Sequence, residues 1–90
     1  MHPNDLFEQL ERLADRLGIV IRYDDLSQSD LPAQSGLCTI RGSPILIIDS
    51  SRSLEEKTEV LARCLSRMDL DGVYLLPGVR DALQKMEENQ

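Results

Sequence analysis

The sequence predicts a small, single α+β domain with its elements in the order α-β-β-β-α-α and a three-stranded sheet packed by helices. Apolar residues recur at helical spacing near both ends of the chain and again after Ser53. Between the helices lie a β-branched run and a tight hairpin of two apolar runs. With 90 residues, 41% apolar and 29% charged, the composition is that of one globular domain. We expect residues 1–3 and 87–90 to fray.

The first helix is predicted over residues 4–17. Asn4 or Asp5 is expected to accept hydrogen bonds from the free amides of the first turn, and Asp5 with Glu8 has the spacing of a capping box. Gly18 is expected to end the helix in the left-handed conformation. The inward apolar positions, spaced at 3.6 residues, are Leu6, Phe7, Leu10, Leu13, Ala14 and Leu17.

A strand is predicted to follow over residues 19–23. Its β-branched and aromatic residues alternate, so that Ile19, Ile21 and Tyr23 share one face. The next stretch, from Asp24 to Ser35, is polar and contains a proline. It is predicted to be a loop that is long for so small a domain and the most mobile part of the chain.

The hairpin is predicted to consist of Leu37–Arg41 and Ile45–Asp49, joined by a two-residue turn at Gly42-Ser43. Because Pro44 cannot donate a hydrogen bond, it is expected at an edge or a strand end. Both faces are apolar, so both are expected to be covered. The predicted cross-strand pairs are Ile40 with Ile45 and Cys38 with Ile47 on one face, and Leu37 with Ile48 and Thr39 with Leu46 on the other.

The second helix is predicted to begin near Ser53, where Ser53 and Glu56 have the spacing of a capping box. Glu59 and Arg63 are expected to form an ion pair on its exposed side. Its buried stripe is predicted to contain Leu54, Val60, Leu61, Cys64, Leu65 and Met68.

The third helix is predicted to follow a break at residues 69–72 and a short apolar link, 73–76, that is either extended or a helical turn. Pro77 fits the first turn of this helix. The residues expected to face inward are Val79, Ala82, Leu83 and Met86.

Charge and hydropathy exclude several classes of partner. The net charge of −6 argues against binding to nucleic acid or to an anionic membrane surface. The longest apolar runs, 45–48 and 19–21, are far shorter than the roughly 20 residues that span a membrane. No secretory signal is evident, and two cysteines fit a reducing compartment, so a cytoplasmic location is expected.

The residues that could carry chemistry do not form a known motif, and we expect no catalytic, cofactor-binding or metal-binding site. His2 is expected to be an unconstrained surface residue. Cys38 and Cys64 are expected to be buried, inert thiols, with a disulfide between them left open. The Asp69-x-Asp71-Gly72 sequence is a fragment of a calcium loop that lacks its other ligands, and a helix-ending turn explains it. The loop aspartates, expected to be solvated or capping, are Asp24, Asp25 and Asp30.

From residue 6 to residue 68, the order of elements resembles the core of zincin-type metallopeptidases of the ImmA/IrrE kind. In that family the helix after the hairpin reads Leu-Ala-His-Glu-Leu-Gly-His, and here Leu61-Ala-Arg-Cys-Leu-Ser-Arg67 stands in its place. The resemblance puts Arg63 and Arg67 at the zinc-ligand positions and Cys64 at the position of the general base. Guanidinium groups stay protonated and cannot ligate zinc, so the resemblance implies a catalytically inactive scaffold. The pattern of a hairpin and a helix followed by the sequence from Asp69 to Pro77 is also similar to that of a short bacterial family, which has no known activity to carry over.

Three functional hypotheses follow from these observations. The first is a non-enzymatic interaction or regulatory module, most simply a homodimer, because spare apolar surface would be buried between copies. The second is the inactive metallopeptidase-like scaffold, and the third is a thiol-dependent protein using Cys64 or Cys38. The residues predicted for an interface, with ordinary core as the alternative for each, are Leu46, Ile48, Val73, Tyr74 and Leu75.

Overall fold

Among the described residues, three helices and three strands follow one another in the predicted order, which confirms the α+β class. The structure is a computed structural model that describes residues 1–26 and 36–88. Residues 27–35 of the predicted loop, and Asp30 with them, therefore lie outside the described residues. The helices are Pro3–Arg16 (α1), Leu54–Ser66 (α2) and Pro77–Glu88 (α3), and the strands are Val20–Asp24 (β1), Gly36–Ile40 (β2) and Ser43–Asp49 (β3).

The sheet has the strand order β1-β3-β2, so the most apolar strand lies in the centre. β3 runs parallel to β1 and antiparallel to β2. Pairing with β1 begins at Ile45, one residue after Pro44. Pro44 therefore lies at the end of β3 where β1 offers no acceptor, and its missing N–H leaves no gap in the ladder.

The turn of the hairpin differs from the prediction by one position. Ile40 pairs with Ser43, so the two-residue loop is Arg41-Gly42 and not Gly42-Ser43. Arg41 has φ 53° and Gly42 has φ 80°, which is the type I′ pattern that matches the twist of the flanking strands. The observed partner of Ile45 is therefore Cys38, where Ile40 had been predicted. Because the register moves by two residues, every side chain keeps the face predicted for it.

The helices cover only one face of the sheet. α2 lies in the middle of the helical layer, where it contacts both other helices and two strands. Leu46 and Ile48 of β3 are fully buried beneath it. Burial of a side chain of this size stabilises the fold by about 1.5–3 kcal/mol. The core consists of Leu10, Leu13, Ala14, Ile19, Leu46, Ile48, Leu61, Ala62, Leu65, Val79 and Leu83.

The caps of α1 and α2 show one corrected prediction and one confirmed prediction. The N-cap of α1 is His2, whose Nδ1 accepts from the backbone N–H of Asn4 at 3.1 Å. The predictions of Asn4 or Asp5 as the cap and of an unconstrained His2 were wrong, because Pro3 occupies the first helical position and moves the cap to the preceding residue. Ser53 caps α2 as predicted and accepts from the N–H of Glu56 at 3.2 Å.

Asp49 holds the connection between β3 and α2. It is 5% exposed, and its Oδ1 accepts from the N–H of Ser51 at 3.0 Å and from the Ser51 hydroxyl at 2.6 Å. The same oxygen accepts from the N–H of Leu26 at 3.2 Å, while Oδ2 accepts from Arg52 Nε at 3.2 Å. The hydroxyl hydrogen bond from Ser51 holds the pKa of Asp49 below its ordinary value, although burial acts in the opposite direction. One carboxylate thus ties the segment after β1 to the start of α2.

Candidate interaction surfaces

The face of the sheet opposite the helices is apolar, and the core among the described residues does not pack against it. We call it the open face. Val20 is 56% exposed and Ile40 is 43% exposed, while the other three side chains are half-buried. None of the five belongs to the core or to the partly buried residues packed against it. The open face consists of Val20 from β1, Cys38 and Ile40 from β2, and Ile45 and Ile47 from β3.

The open face carries little net charge, although the chain as a whole carries −6. Arg22 lies on the same side of β1 as Val20, and its guanidinium contacts the Asp24 carboxylate at 3.2 Å. Both side chains are well exposed, so the pair contributes little to stability, but it neutralises the two charges locally. A neutral apolar face allows a second anionic chain to approach without direct repulsion between like charges.

The residues predicted for an interface lie elsewhere. Leu46 and Ile48 are fully buried under the helices, so neither presents surface to a partner. Val73 and Leu75 are half-buried against the core. Tyr74 is 69% exposed, and its carbonyl accepts from Arg16 Nη1 at 3.3 Å. The alternation of the hairpin identified two apolar faces, and the helices cover the face with Leu46 and Ile48, so these two residues follow the alternative of ordinary core.

A second surface is a cleft between β2, at the edge of the sheet, and α2. Its volume is about 470 Å³, and Arg63, Cys64 and Arg67 line it together with apolar side chains of both elements. The backbone N–H of Leu37 donates to the Cys64 sulfur. Burial raises the pKa of the Cys64 thiol, and Arg67, the Leu37 amide and Arg63 offset only part of this effect. The thiol is therefore protonated at neutral pH, which disfavours its use as a nucleophile.

The other side chains considered for a chemical role are the two cysteines, Tyr23 and Asp69. Cys38 and Cys64 are both free thiols. Cys38 was predicted to be buried. It is instead half-buried on the open face and is not part of the core. The phenol of Tyr23 donates to Glu11, and burial together with this carboxylate raises the pKa of Tyr23. Asp69 accepts from the N–H of Asp71 at 3.0 Å, which is the turn expected at the end of α2.

Comparisons of the chain with protein-family models, with curated proteins and with solved structures find no match. Within residues 1–26 and 36–88, no group of three or more His, Cys, Asp or Glu side chains is placed to hold a metal ion. No helix of this part of the chain is long and apolar enough to cross a membrane.

Proposed function

We propose that the chain is a non-enzymatic protein-interaction module that associates with a second copy of itself through the open face. The observation that carries this proposal is the row of five apolar side chains on the side of the sheet away from the helices. Two such faces can stack about 10 Å apart, as the sheets of a β-sandwich do. A two-fold axis would bring each face against its own copy and keep the association closed.

The size of the open face sets the strength of this association. Three strands spaced at about 4.8 Å, with about five residues each at about 3.3 Å rise, cover roughly 230 Å² per copy. Two copies together then bury roughly 500 Å², well below the roughly 1,200 Å² at which specific, stable interfaces begin. The proposed dimer is therefore weak and concentration-dependent, with a dissociation constant on the order of 10 µM or higher.

Sedimentation equilibrium over a wide concentration range tests this proposal. The weight-average mass of the wild type is expected to rise from the chain mass of 10.2 kDa towards twice that value. Val20→Lys combined with Ile40→Lys places two ammonium groups on the open face and is expected to keep the chain monomeric. Tyr74→Lys, which adds one ammonium group, is the control, since Tyr74 is also an exposed large hydrophobic side chain but lies outside the open face. Equal association of the wild type and the double variant would contradict the proposal.

A second candidate function, the inactive metallopeptidase-like scaffold, is supported by one observation. Arg63, Cys64 and Arg67, which the resemblance puts at the zinc-ligand and general-base positions, line the same cleft. The test is to introduce the missing motif with Arg63→His, Cys64→Glu and Arg67→His and to measure zinc binding by calorimetry. The control places the same histidine spacing on the exposed side of α1 with Glu8→His and Arg12→His, which pair at 2.8 Å in the wild type.

A metallopeptidase-like scaffold is expected to bind one zinc ion at the cleft at least tenfold more tightly than the exposed control pair. The reason is that walls around a metal site orient its ligands and restrict water, effects that change affinity by about 10- to 100-fold. Equal zinc affinity at the cleft and at the control pair on α1 would contradict the metallopeptidase-like scaffold, and α2 would then be an ordinary amphipathic helix.

A further inference from the structure

A groove lies between α2 and α3, and Met1, Pro3 and Leu6 at the start of α1 also line it. Its volume is about 810 Å³, which is within the range of binding pockets. Leu54, Thr58 and Ala62 line one wall at intervals of four residues, and Gly78, Ala82 and Met86 line the other wall at the same interval. The groove therefore extends over about two helical turns, or roughly 11 Å.

Small side chains keep this groove open. Ala62 and Ala82 fill little of the space between the two walls. Gly78 leaves room for the Met1 side chain, which a Cβ at position 78 would meet at 3.0 Å. The side chains of Leu6 and Met86 are half-buried and pack against the core, so they lie deeper than the exposed lining residues and form the base of the groove. Met86 is flexible enough to adapt to the shape of an occupant. The base of the groove is thus apolar, and its length suits the anchor residues of one helical segment.

The rim of the groove is acidic. It carries Glu55, Glu59 and Asp81 against two cations among the lining residues, Lys85 and the α-ammonium of Met1. Glu59 is already engaged by Arg63 at 2.7 Å. Within the described ranges, no cationic side chain lies within 4.0 Å of the carboxylates of Glu55 or Asp81. Both are exposed, one on each wall, so they can meet cations on either side of an occupant.

We infer that this groove binds a basic amphipathic helix supplied by another protein. The apolar face of that helix, with anchors at i, i+3 or i+4 and i+7, lies on the base of the groove. Its lysine or arginine side chains contact Glu55 on one rim and Asp81 on the other. This site is separate from the open face, so a dimer formed through the sheet leaves it available.

The test uses a fluorescein-labelled peptide of 14 residues, made of leucine at helical spacing and lysine elsewhere, in an anisotropy titration at physiological salt. A peptide with glutamate in place of every lysine is expected to bind at least tenfold more weakly. A peptide with the leucines and lysines in scrambled order has the same charge without an apolar face. It is expected to bind at least fivefold more weakly than the ordered peptide.

Matched variants separate the groove from the general attraction between a basic peptide and an acidic protein. Glu55→Lys with Asp81→Lys changes the net charge by four and is expected to weaken binding at least tenfold. Asp15→Lys with Glu87→Lys makes the same change in charge at exposed positions outside the groove, and is expected to alter binding less than threefold. The inference is overturned if the two double variants weaken binding equally, if the glutamate peptide binds as well, or if the lysine peptide does not bind.

Discussion

At the scale of single residues, Asp49 combines burial with hydrogen bonds from residues that include Leu26, Ser51 and Arg52. Because its folded pKa lies below the ordinary value of 3.8, the unfolded chain binds the proton more readily than the folded chain does. The stability that this carboxylate provides is therefore fully present above about pH 4 and is lost as the pH falls through the folded pKa. We expect Asp49→Ala to lower the melting temperature by a constant amount from pH 5 to pH 8. The difference from the wild type should shrink below pH 4.

Thermal unfolding followed by circular dichroism across this pH range is the measurement. Asp69→Ala is the matched control, since Asp69 is exposed and accepts one backbone N–H in the turn after α2. Its effect is expected to be smaller than that of Asp49→Ala at every pH. A pH-independent difference for Asp49→Ala would show that the residue contributes through packing rather than through its charge.

Only some of the hydrogen bonds of Asp49 could be predicted from the sequence. An aspartate followed two residues later by serine is typical of a local turn in which the side chain accepts from the backbone, and this contact could have been predicted. The hydrogen bond from Leu26 could not, because it joins positions 23 residues apart and depends on the parallel pairing of β1 with β3. Hydrogen bonds to residues nearby in the sequence can therefore be predicted for Asp49, whereas its partners from another strand depend on the topology of the sheet.

At the scale of elements, the hairpin turn gives a prediction that distinguishes the observed register from the one expected from the sequence. Arg41 has φ 53°, a conformation that asparagine adopts more readily than arginine. Arg41→Asn creates the Asn-Gly pair favoured in type I′ turns and is expected to stabilise the protein by about 0.5–1 kcal/mol. Ser43→Asn is the control, because Ser43 begins β3 and asparagine is a poor strand residue.

Urea unfolding of both variants is the measurement. With the turn at Arg41-Gly42, Arg41→Asn raises the midpoint and Ser43→Asn lowers it or leaves it unchanged. The reverse order would be expected if the turn lay at Gly42-Ser43. Glycine at position 42 fits a turn in either register, and this is why composition alone did not identify the correct pair of residues.

The N-terminus of α2 is an element boundary that the sequence did define. Ser53 Oγ accepts from the Glu56 N–H and donates to Glu56 Oε1 at 3.1 Å. Ser53→Ala is expected to lower the free energy of unfolding by about 1 kcal/mol, whereas Ser53→Asp, which can still cap, should cost much less. Chemical denaturation gives both values. Equal losses for the two variants would mean that the hydroxyl proton, and not the capping oxygen, supports this end of the helix.

At the scale of the whole molecule, the sequence determined the faces of the sheet but not which of them the helices cover. Leu46 and Ile48 alternate with Ile45 and Ile47, and both pairs are equally apolar. The pairing of β1 with β3 decides which of the two pairs faces the helices. Ile21 of β1 lies beside Leu46, and both are on the side of the sheet that the helices cover. Strand order follows from long-range contacts that no local pattern encodes, so the open face became visible only in the folded chain.

The two thiols offer a direct test of association at this scale, because they lie on different surfaces. Cys38 belongs to the open face, whereas Cys64 lines the cleft between β2 and α2. If two copies associate through their open faces, the rate at which iodoacetamide alkylates Cys38 should fall at least threefold as the chain concentration rises through the dissociation constant. The rate at Cys64 should stay constant and serves as an internal control.

Trypsin separates the two sites, since cleavage after Arg22, Arg41, Arg63 and Arg67 puts each cysteine in its own peptide for mass spectrometry. The Val20→Lys and Ile40→Lys double variant should show no concentration dependence at either thiol. If sedimentation detects a dimer while the Cys38 rate stays constant, the copies associate through another surface, and the open face has no part in self-association. A fall at Cys38 alone, abolished in the double variant, would locate the contact on the open face, because no other described surface combines this thiol with Val20 and Ile40.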